Sequence, residues 1–424
     1  MNETFLHRRQ LYDKHFAPWI DKPVIKVITG MRRVGKSSLL RLLKQTLRER
    51  RVSEKQIVLI DKESVDFDFI EDYRDLAGFL KKQVGSAKAR HYLLIDEVQE
   101  IAQWERAVNS AFKEGRWDIY LTGSNARMLS SELTTLLAGR YVEIPVYPLS
   151  LVEFLEFRGL KRADTQSAFV EYLRYGGLPA LHQFSLSEDT VFQYINSVYD
   201  TIVLKDVVNR HEVRNVPLFQ NISRFVFDNI GNAFSAKKVA DYLKSQRLTI
   251  TVETVQKYLG YLTETYALHR VPRFDIKGKR HLEVSEKFYL GDIGLRNAVL
   301  GYREEAINGL LENLVFLELK RRGYQVSVGK LNGYEIDFIA SRKKERIYVQ
   351  VAYLIASQKT MEREFGVLEK IPDHFPKLVL SMDQVQRDTR TGILHQNLVE
   401  FLMENALAHP LARAKAATTP YTIE

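Results

Sequence analysis

The residues from Gly30 to Ser37 have the types and spacing of a phosphate-binding loop. The segment GMRRVGKS fits the pattern G-x-x-x-x-G-K-[ST]. Its glycines allow a tight turn in which backbone N–H groups face phosphate oxygens, and the helix that follows adds its positive N-terminal dipole. Lys36 can reach the β- and γ-phosphates, and the Ser37 hydroxyl can ligate Mg²⁺. The sequence therefore predicts ATP and Mg²⁺ as cofactors, with these residues in contact: Gly30, Arg33, Val34, Gly35, Lys36, Ser37, Ser38 and Asp96.

Two acids, Asp96 and Glu97, directly follow the apolar run 92–95. In a parallel sheet, ligands bind at the carboxyl ends of the strands. We expect Asp96 to join Ser37 in the Mg²⁺ shell and Glu97 to polarise the attacking water. An acidic helix N-cap is the alternative interpretation of this pair. The phosphate loop that precedes it favours the catalytic one.

A third apolar run, 119–122, ends in Gly-Ser-Asn. Asn125 is a candidate for orienting the water near the γ-phosphate. Ordinary turn chemistry is the alternative, since all three residue types favour turns. A predicted helix over 129–137 then leads to Gly139 and Arg140.

The elements that must position these residues follow from the apolar pattern. Continuous apolar runs alternate with amphipathic stretches such as 37–47 and 76–84, which predicts buried parallel strands in a three-layer α/β domain. The predicted strands are 24–29, 57–61, 92–96, 119–122 and 141–146.

These motifs, in this order, resemble an AAA+ ATPase module. The segments 146–155 and 175–179 are similar to hallmark segments of a prokaryotic family of AAA-type ATPases, and the resemblance covers nearly the whole chain. It implies a P-loop AAA+ parallel-sheet core followed by helical and winged-helix regions. It also implies a C-terminal α/β domain like a PD-(D/E)XK restriction endonuclease. The domains it predicts are 1–148 (ATPase core), 149–215 (helical lid), 216–300 (winged helix), 301–405 (nuclease-like) and 406–424 (flexible tail).

The resemblance also implies roles for single residues. Asn125 is similar to the first sensor, and Arg140 stands where such ATPases carry an arginine finger that acts on a neighbour's nucleotide. Arg140 thus implies a homo-oligomer, with a ring such as a hexamer as one form. A surface arginine at a helix end is its alternative. Arg174 and Arg210 both remain candidates for the second sensor.

The middle of the chain carries a basic hairpin after two predicted helices, 234–243 and 251–262. Helices and hairpin together resemble a winged helix, whose second helix can enter the DNA major groove and whose basic wing can neutralise phosphates. Protein contact is the alternative use of such a fold. The DNA-contact candidates are Lys257, Arg270, Arg273, Lys277, Lys279 and Arg280.

The last unit resembles the PD-(D/E)XK core, with Glu312 on its helix, Asp337 on a strand and Gln350 on the next strand. Such a nuclease needs a lysine two residues after the third position, and here that residue is Ala352. Gln350 also brings no charge to a hard cation. We interpret the unit as a degenerate nuclease fold in which nuclease activity is not expected, and we keep an ATP-gated metal-dependent nuclease as an alternative.

Composition narrows the remaining possibilities. The chain has 424 residues, a formal charge of +9, 45% hydrophobic and 27% charged residues, and no cysteine. Disulfides, thiolate metal sites and cysteine nucleophiles are thereby excluded, and no apolar run is long enough for a membrane span. The N-terminus lacks a secretory signal, so we expect a cytoplasmic protein without membrane contact. The leading hypothesis is Mg²⁺-dependent ATP hydrolysis coupled to DNA binding or remodelling, for example by a motor on branched or duplex DNA. An ATP-controlled oligomeric switch that recruits protein partners is the other alternative.

Overall fold

The computed structural model describes residues 6–84, 89–126, 137–384 and 392–404. The chain forms two compact units. The first comprises residues 1–148 and 264–266, and the second comprises residues 149–263 and 267–424. All but the last residue of the predicted helix 129–137, and the whole tail 406–424, lie outside the described residues.

The first unit alternates strands and helices. Its strands are β1 (Ile25–Thr29), β2 (Ile57–Asp61), β3 (His91–Asp96), β4 (Trp117–Gly123) and β5 (Tyr141–Pro145). Its α-helices are α1 (Gln10–Phe16), α2 (Lys36–Glu49), α3 (Tyr73–Gln83) and α4 (Trp104–Lys113), with short 3-10 turns at Glu54–Gln56, Val65–Phe67 and Val98–Glu100.

The five strands form one parallel sheet in the order β2-β3-β4-β1-β5, which confirms the predicted parallel α/β core. Every residue of β1, β3 and β4 is buried, as expected for strands covered on both faces. The register pairs Asp61 with Asp96 and Thr29 with Gly123. The carboxyl ends of these strands therefore lie level at one edge of the sheet.

The second unit is mixed. Its α-helices are α5 (Leu151–Phe157), α6 (Thr165–Tyr175), α7 (Glu188–Thr201), α8 (Val216–Asp228), α9 (Ala236–Ser245), α10 (Val252–Glu264), α11 (Ile293–Leu300), α12 (Ile307–Arg321), α13 (Gln358–Glu369) and α14 (Leu398–Met403). A π-helical segment, Ile202–Asn209, continues α7, and 3-10 turns lie at Arg162–Asp164, Pro179–Gln183 and Glu304–Ala306. Its strands are β6 (Leu268–Asp275), β7 (Arg280–Leu290), β8 (Gln325–Leu331), β9 (Tyr334–Arg342), β10 (Glu345–Val351), β11 (Lys377–Ser381) and β12 (Leu394–Asn397).

These seven strands form one sheet in the order β12-β11-β10-β9-β8-β6-β7. The hairpin predicted as a wing, β6–β7, joins it because β6 pairs in parallel with β8. The residue ranges of helices α9 and α10 nearly coincide with those of the two helices predicted before the hairpin. The predicted domain boundary at 300/301 thus falls inside a compact unit in which the hairpin and the C-terminal strands share a sheet.

Close packing explains both glycines of the segment 175–179. Gly176 has φ +77°, and a Cβ there would lie 2.1 Å from Asp292 Oδ1. The Gly177 N–H donates to Asp292 Oδ2 at 2.8 Å, and the Gly294 N–H donates to Oδ1 at 2.8 Å. A side chain at Gly176 would displace the carboxylate that caps α11, and a Cβ at Gly177 would lie 2.6 Å from the Leu149 carbonyl oxygen. The motif is therefore a packing requirement of the second unit.

Among the helices of the described residues, none combines the length and the apolar character needed to cross a membrane.

Candidate functional site

The loop between β1 and α2 has the shape that its sequence predicts. Gly30 has φ +148°, and a Cβ there would lie 2.3 Å from the Val146 carbonyl oxygen. Gly35 has φ +97° at the start of α2, and Arg33 has φ +68°. A residue with a side chain fits poorly at either glycine, because of steric overlap at Gly30 and the left-handed backbone at Gly35. Val34, Lys36, Ser37 and Ser38 follow within the loop and the first turn of α2.

Lys36 is buried at the centre of this loop. Its Nζ donates to the carbonyl oxygens of Gly30 and Met31, each at 3.1 Å. The same atom lies 3.7 Å from Glu97 Oε1. The ammonium is thus held inside the loop and next to the acid at the end of β3, as the motif predicts.

Asp96 ends β3 and is 4% exposed. Thr122, on β4, donates its hydroxyl to Asp96 Oδ1. Burial raises the pKa of Asp96, and hydrogen bonds from the Ser37 and Thr122 side chains oppose that rise. Ser37 and Asp96 are therefore direct neighbours, which is what a shared Mg²⁺ site requires.

Glu97 takes an uncommon backbone conformation, with φ +51° and ψ +54°. Its N–H donates to Thr122 Oγ1 at 2.8 Å. The Ser124 hydroxyl donates to Glu97 Oε2 at 2.9 Å, and the Gln99 amide donates to the same oxygen. A non-glycine residue in this region costs about 1 kcal/mol or more, and such strain clusters at functional sites.

The electrostatic surroundings keep Glu97 ionised. Burial acts to raise its pKa, but Lys36 and Arg32 and the hydrogen bonds from Gln99 and Ser124 outweigh it, so the pKa lies below the ordinary value. A carboxylate that is ionised and oriented by fixed donors can accept a proton from water.

The other two predicted catalytic residues are also in the first unit. Asn125 is 5% exposed just beyond β4, and the next residue, Ala126, donates its N–H to the Glu264 carbonyl at 2.7 Å. Arg140 is half-buried, and its guanidinium donates to Asn109 Oδ1 at 2.6 Å. Its role as a finger stays a prediction.

Two arginines of this site are missing from the sequence-based set. Arg9, 3% exposed, donates to the carbonyl oxygens of Val34 at 3.2 Å, Tyr147 at 3.0 Å and Pro148 at 3.2 Å. Arg32, inside the loop, pairs with Glu63 at 3.2 Å. Arg32 could have been predicted from its position inside the loop. Arg9 could not, because its partners are backbone carbonyls far along the chain.

The predicted DNA contacts divide into two groups in the second unit. Lys257 on α10 and the turn residues Lys277, Lys279 and Arg280 are exposed. Two others are engaged in ion pairs. Arg270 pairs with Glu286, and Arg273, with 15% of its side chain exposed, lies 3.8 Å from Glu335. The Arg174 guanidinium, also in the second unit, lies 3.6 Å from Glu188 and over the Tyr302 ring. Arg174 and Arg210 both remain candidates for the second sensor.

The nuclease-like residues of the second unit do come together. The Asp337 N–H donates to Gln350 Oε1 at 3.1 Å, and Glu312 and Asp337 both contact Lys287. Burial, with the neighbouring Asp337 charge, raises the pKa of Glu312 to about 8. Lys287 is missing from the sequence-based set, since it precedes the predicted nuclease-like unit and belongs to no motif.

Comparison with known proteins places this geometry in a family. The family described as "AAA domain" matches residues 22–155, and a domain of unknown function matches residues 166–306. An uncharacterized protein of Haemophilus influenzae is 35% identical over 401 residues, which cover 93% of this chain and 98% of that protein. The chain belongs to one family with this protein, and it carries an AAA domain.

Further likenesses extend beyond bacteria. An uncharacterized protein of Methanocaldococcus jannaschii is 30% identical over 369 residues, which cover 82% of this chain and 78% of that protein. Among solved structures, a Walker-type ATPase of Pyrococcus abyssi superposes with a TM-score of 0.49 and 17% identity, covering 70% of this chain and 97% of that one. The AAA domain match and the five-stranded parallel sheet that carries the phosphate loop show a P-loop AAA+ α/β core in the first unit.

Proposed function

We propose that the protein hydrolyses ATP with Mg²⁺ as a homo-oligomer and that DNA binding is coupled to turnover. One observation carries the proposal: Lys36, Asp96 and Glu97 meet at the level ends of β1 and β3, with Glu97 ionised and 3.7 Å from Lys36. A phosphate loop beside two such acids is typical of sites that hydrolyse nucleotides.

The residues present fit Mg·ATP. The backbone cradle at Gly30 is one that a Cβ would fill, and the Ser37 hydroxyl bonds to the Asp96 carboxylate. Ser37 and Asp96 would hold the ion, which supplies charge neutralisation to the phosphate oxygens when bound.

The chain's own residues then divide the work. Lys36 neutralises negative charge on the phosphate oxygens of the bound ATP. Glu97 orients a water molecule and accepts its proton as the oxygen adds to the γ-phosphorus and the bond to the β-phosphate oxygen breaks. Asn125, buried at the end of β4, positions the same water. Ser124 and Gln99 hold the Glu97 carboxylate in place.

Arg140 gives the oligomer a specific role. In an assembly its guanidinium would leave Asn109 and stabilise the charge on a neighbour's transferring phosphoryl group. Mixing Arg140→Ala with Lys36→Ala subunits tests this. A finger acting across subunits restores part of the activity in the mixture, because some interfaces pair an intact loop with an intact arginine. Two inactive preparations that stay inactive when mixed would contradict it.

The DNA contact is assigned to the exposed cations of the second unit. Lys277, Lys279 and Arg280 surround a single turn between β6 and β7, and Lys257 lies on α10. Clustered, exposed cations of this kind neutralise DNA phosphates.

A short segment supports coupling between hydrolysis and DNA. Residues 264–266 connect the end of α10 to the start of β6 and belong to the first unit. There the Glu264 carbonyl accepts the N–H of Ala126, the residue after Asn125. A shift at Asn125 on hydrolysis is thereby passed to the chain that leads to both DNA-contact elements.

ATP hydrolysis by the purified chain tests the proposal. We expect Mg²⁺-dependent phosphate release that EDTA and Lys36→Ala both abolish. Slow release that DNA leaves unchanged would favour the ATP-controlled switch, and no release with retained ATP binding would contradict hydrolysis.

A further inference from the structure

Two consecutive arginines, Arg32 and Arg33, stand in the middle of the phosphate loop. Arg33 is exposed, whereas Arg32 is only 6% exposed. A guanidinium keeps its charge at any physiological pH, and enclosing it is costly unless an anion pairs with it. The pattern G-x-x-x-x-G-K-[ST] accepts any residue at this position. The motif therefore does not explain why a buried arginine stands there.

The anion that pairs with Arg32 comes from a different part of the sheet. Arg32 Nη1 lies 3.2 Å from Oε1 of Glu63, which follows the end of β2. The Arg32 side chain is 7% exposed, and that of Glu63 is 49% exposed. An ion pair whose carboxylate is half in water contributes little to stability. The guanidinium can therefore leave Glu63 at small cost when another anion is offered.

The order of the strands places this contact over the catalytic edge of the sheet. The loop follows β1, Glu63 follows β2, and β4 and β3 lie between them in the order β2-β3-β4-β1-β5. The contact between Arg32 and Glu63 therefore spans the carboxyl ends of β4 and β3. The Lys62 N–H donates to the Asp96 carbonyl oxygen at 3.4 Å, which holds the chain before Glu63 against the end of β3.

The charge of Arg32 acts on the predicted general base at this edge. Burial acts to raise the pKa of Glu97, and the charges of Lys36 and Arg32 act to lower it. Lys36 Nζ lies 3.7 Å from Glu97 Oε1. Two cations of one loop thus influence the carboxylate that activates water. Both are close to the place that a γ-phosphoryl group must take to receive that water.

We propose that Arg32 is a catalytic residue that the phosphate loop supplies to the nucleotide bound in the same chain. With ATP in the loop, the Arg32 guanidinium leaves Glu63 and donates to oxygens of the γ-phosphoryl group. The inference rests on the ATP hydrolysis of the proposed function. It is independent of DNA binding and of the role assigned to Arg140.

The guanidinium is well matched to this task. Its parallel N–H donors fit two oxygens of one phosphoryl group, which the single ammonium of a lysine does not. A cation at hydrogen-bond distance from the transferring group stabilises the charge of the transition state. Arg32 stays protonated throughout, so the proton of the attacking water still goes to Glu97. The step needs no reagent beyond those of the proposed hydrolysis.

Glu63 sets the resting position of Arg32. Its backbone N–H donates to Asp61 Oδ1 at 3.1 Å, which ties it to the end of β2. The Glu63 carboxylate and the γ-phosphoryl group compete for the same guanidinium, so removing the charge of Glu63 should strengthen ATP binding. Removing the charge of Arg32 should instead slow hydrolysis. An ion pair that merely clamped the loop would make both substitutions act in the same direction.

The rate of hydrolysis and the affinity for ATP, both measured on the full chain, test the inference. Arg32→Ala should lower kcat about 100-fold and change the dissociation constant of ATP less than about 10-fold. Arg32→Lys keeps the charge without the planar fork and should recover part of the rate. Glu63→Gln should bind ATP several-fold more tightly without a loss of kcat. Arg50→Ala, at an exposed position just after α2, is the matched control and should equal the wild type.

Mixing of subunits distinguishes Arg32 from Arg140. Arg32 and Lys36 belong to the same loop, so every site in a mixture of Arg32→Ala and Lys36→Ala subunits lacks one of the two residues. The mixture should therefore show only the summed rates of its separate components, in contrast to the recovery expected for Arg140→Ala with Lys36→Ala. Recovery in the Arg32 mixture would show that Arg32 acts on a neighbour's nucleotide and would overturn the inference.

A mimic of the transition state separates chemistry from folding. Mg·ADP with aluminium fluoride should bind the wild type and Arg50→Ala far more tightly than Arg32→Ala, while Mg·ADP alone should bind all three alike. Equal weakening of both ligands in Arg32→Ala would indicate a structural role and overturn the inference, as would weaker ATP binding by Glu63→Gln. A wild type that hydrolyses ATP no faster than Arg32→Ala overturns the inference alone. A wild type that binds ATP without hydrolysing it overturns the proposed function and this inference together.

Discussion

The two polar sites of this molecule are built in opposite ways. In the first unit, the chemistry-bearing side chains come in short contiguous motifs at the ends of parallel strands. In the second unit, Lys287 lies 25 residues from Glu312 and 50 from Asp337 along the chain. Both sites place a buried lysine beside carboxylates, yet the motifs predicted only the first lysine. The site at the ends of the parallel strands could be predicted from sequence motifs. The site that the β6–β7 hairpin completes could not.

The difference follows from topology. Ligands bind at the carboxyl ends of parallel strands, so polar residues at or just after each strand end are candidates for the site. Lys36, Asp96 and Asn125 could therefore each be predicted from the strand that precedes them. Lys287 reaches Asp337 only because the β6–β7 hairpin joins the C-terminal sheet. Nothing in the local sequence of β7 indicates that pairing.

The largest effect is expected from Glu97→Gln, which should stop turnover in the first unit alone. The amide keeps the shape but cannot accept the proton of water, so kcat should fall about 100-fold or more while ATP binding persists. Phosphate release and nucleotide binding measure the two quantities. Glu100→Gln, an exposed acid three residues on, is the matched control and should hydrolyse normally. Normal hydrolysis by Glu97→Gln would show that another group is the base.

A smaller effect is expected from replacing the turn residues Lys277, Lys279 and Arg280 by alanine. Each lost phosphate contact lowers the slope of log affinity against log salt by about 1, so the triple variant should lose up to about 3. Gel shifts at several salt concentrations measure the slope. Lys161→Ala with Arg162→Ala, on an exposed turn elsewhere in the second unit, is the control. An unchanged slope in the triple variant would remove this turn from the DNA contact.

The sequence predicted the elements of the first sheet better than the rest of the fold. All five parallel strands were predicted within a few residues, because buried runs bounded by helices are unmistakable. Helices α1, α4, α11 and α14 and strand β12 were not predicted. Trp104 and Ala107 of α4 are buried in the core, but the helix starts after Gln103 in a left-handed conformation, without a side-chain cap to mark it. The hairpin was predicted, but its place in the second sheet depends on contacts distant along the chain.

A modest effect is expected from Tyr266→Ala, which tests the link between the two regions. Tyr266 is anchored in the first unit, where burial and the Glu143 charge raise its pKa. Without the ring, segment 264–266 should loosen, so DNA should stimulate hydrolysis several-fold less while the basal rate stays near wild type. The ratio of rates with and without DNA measures it. An unchanged ratio would show that coupling takes another route.

The smallest effect concerns Asp292, a buried carboxylate outside both sites. Burial raises its pKa to about 7 against hydrogen bonds from Gly177, Gly294 and Leu295, compared with about 4 in an unfolded chain. Between these values the folded state keeps a proton that the unfolded state releases, so stability falls as pH rises from about 4 to 7. The unfolding temperature of the wild type minus that of Asp292→Asn should therefore decrease between pH 5 and pH 8. For exposed Asp241→Asn the same difference should stay constant, and a constant difference for Asp292→Asn would contradict the assignment.

The central claim is that the first unit hydrolyses ATP in response to DNA bound by the second. Its most direct test is the rate of phosphate release with no DNA, duplex, single-stranded and four-way-junction DNA, at low and high salt. The account predicts that one DNA form raises the rate at low salt and that high salt removes the increase, since phosphate contacts are screened. A rate that is the same with every DNA at both salts would contradict it.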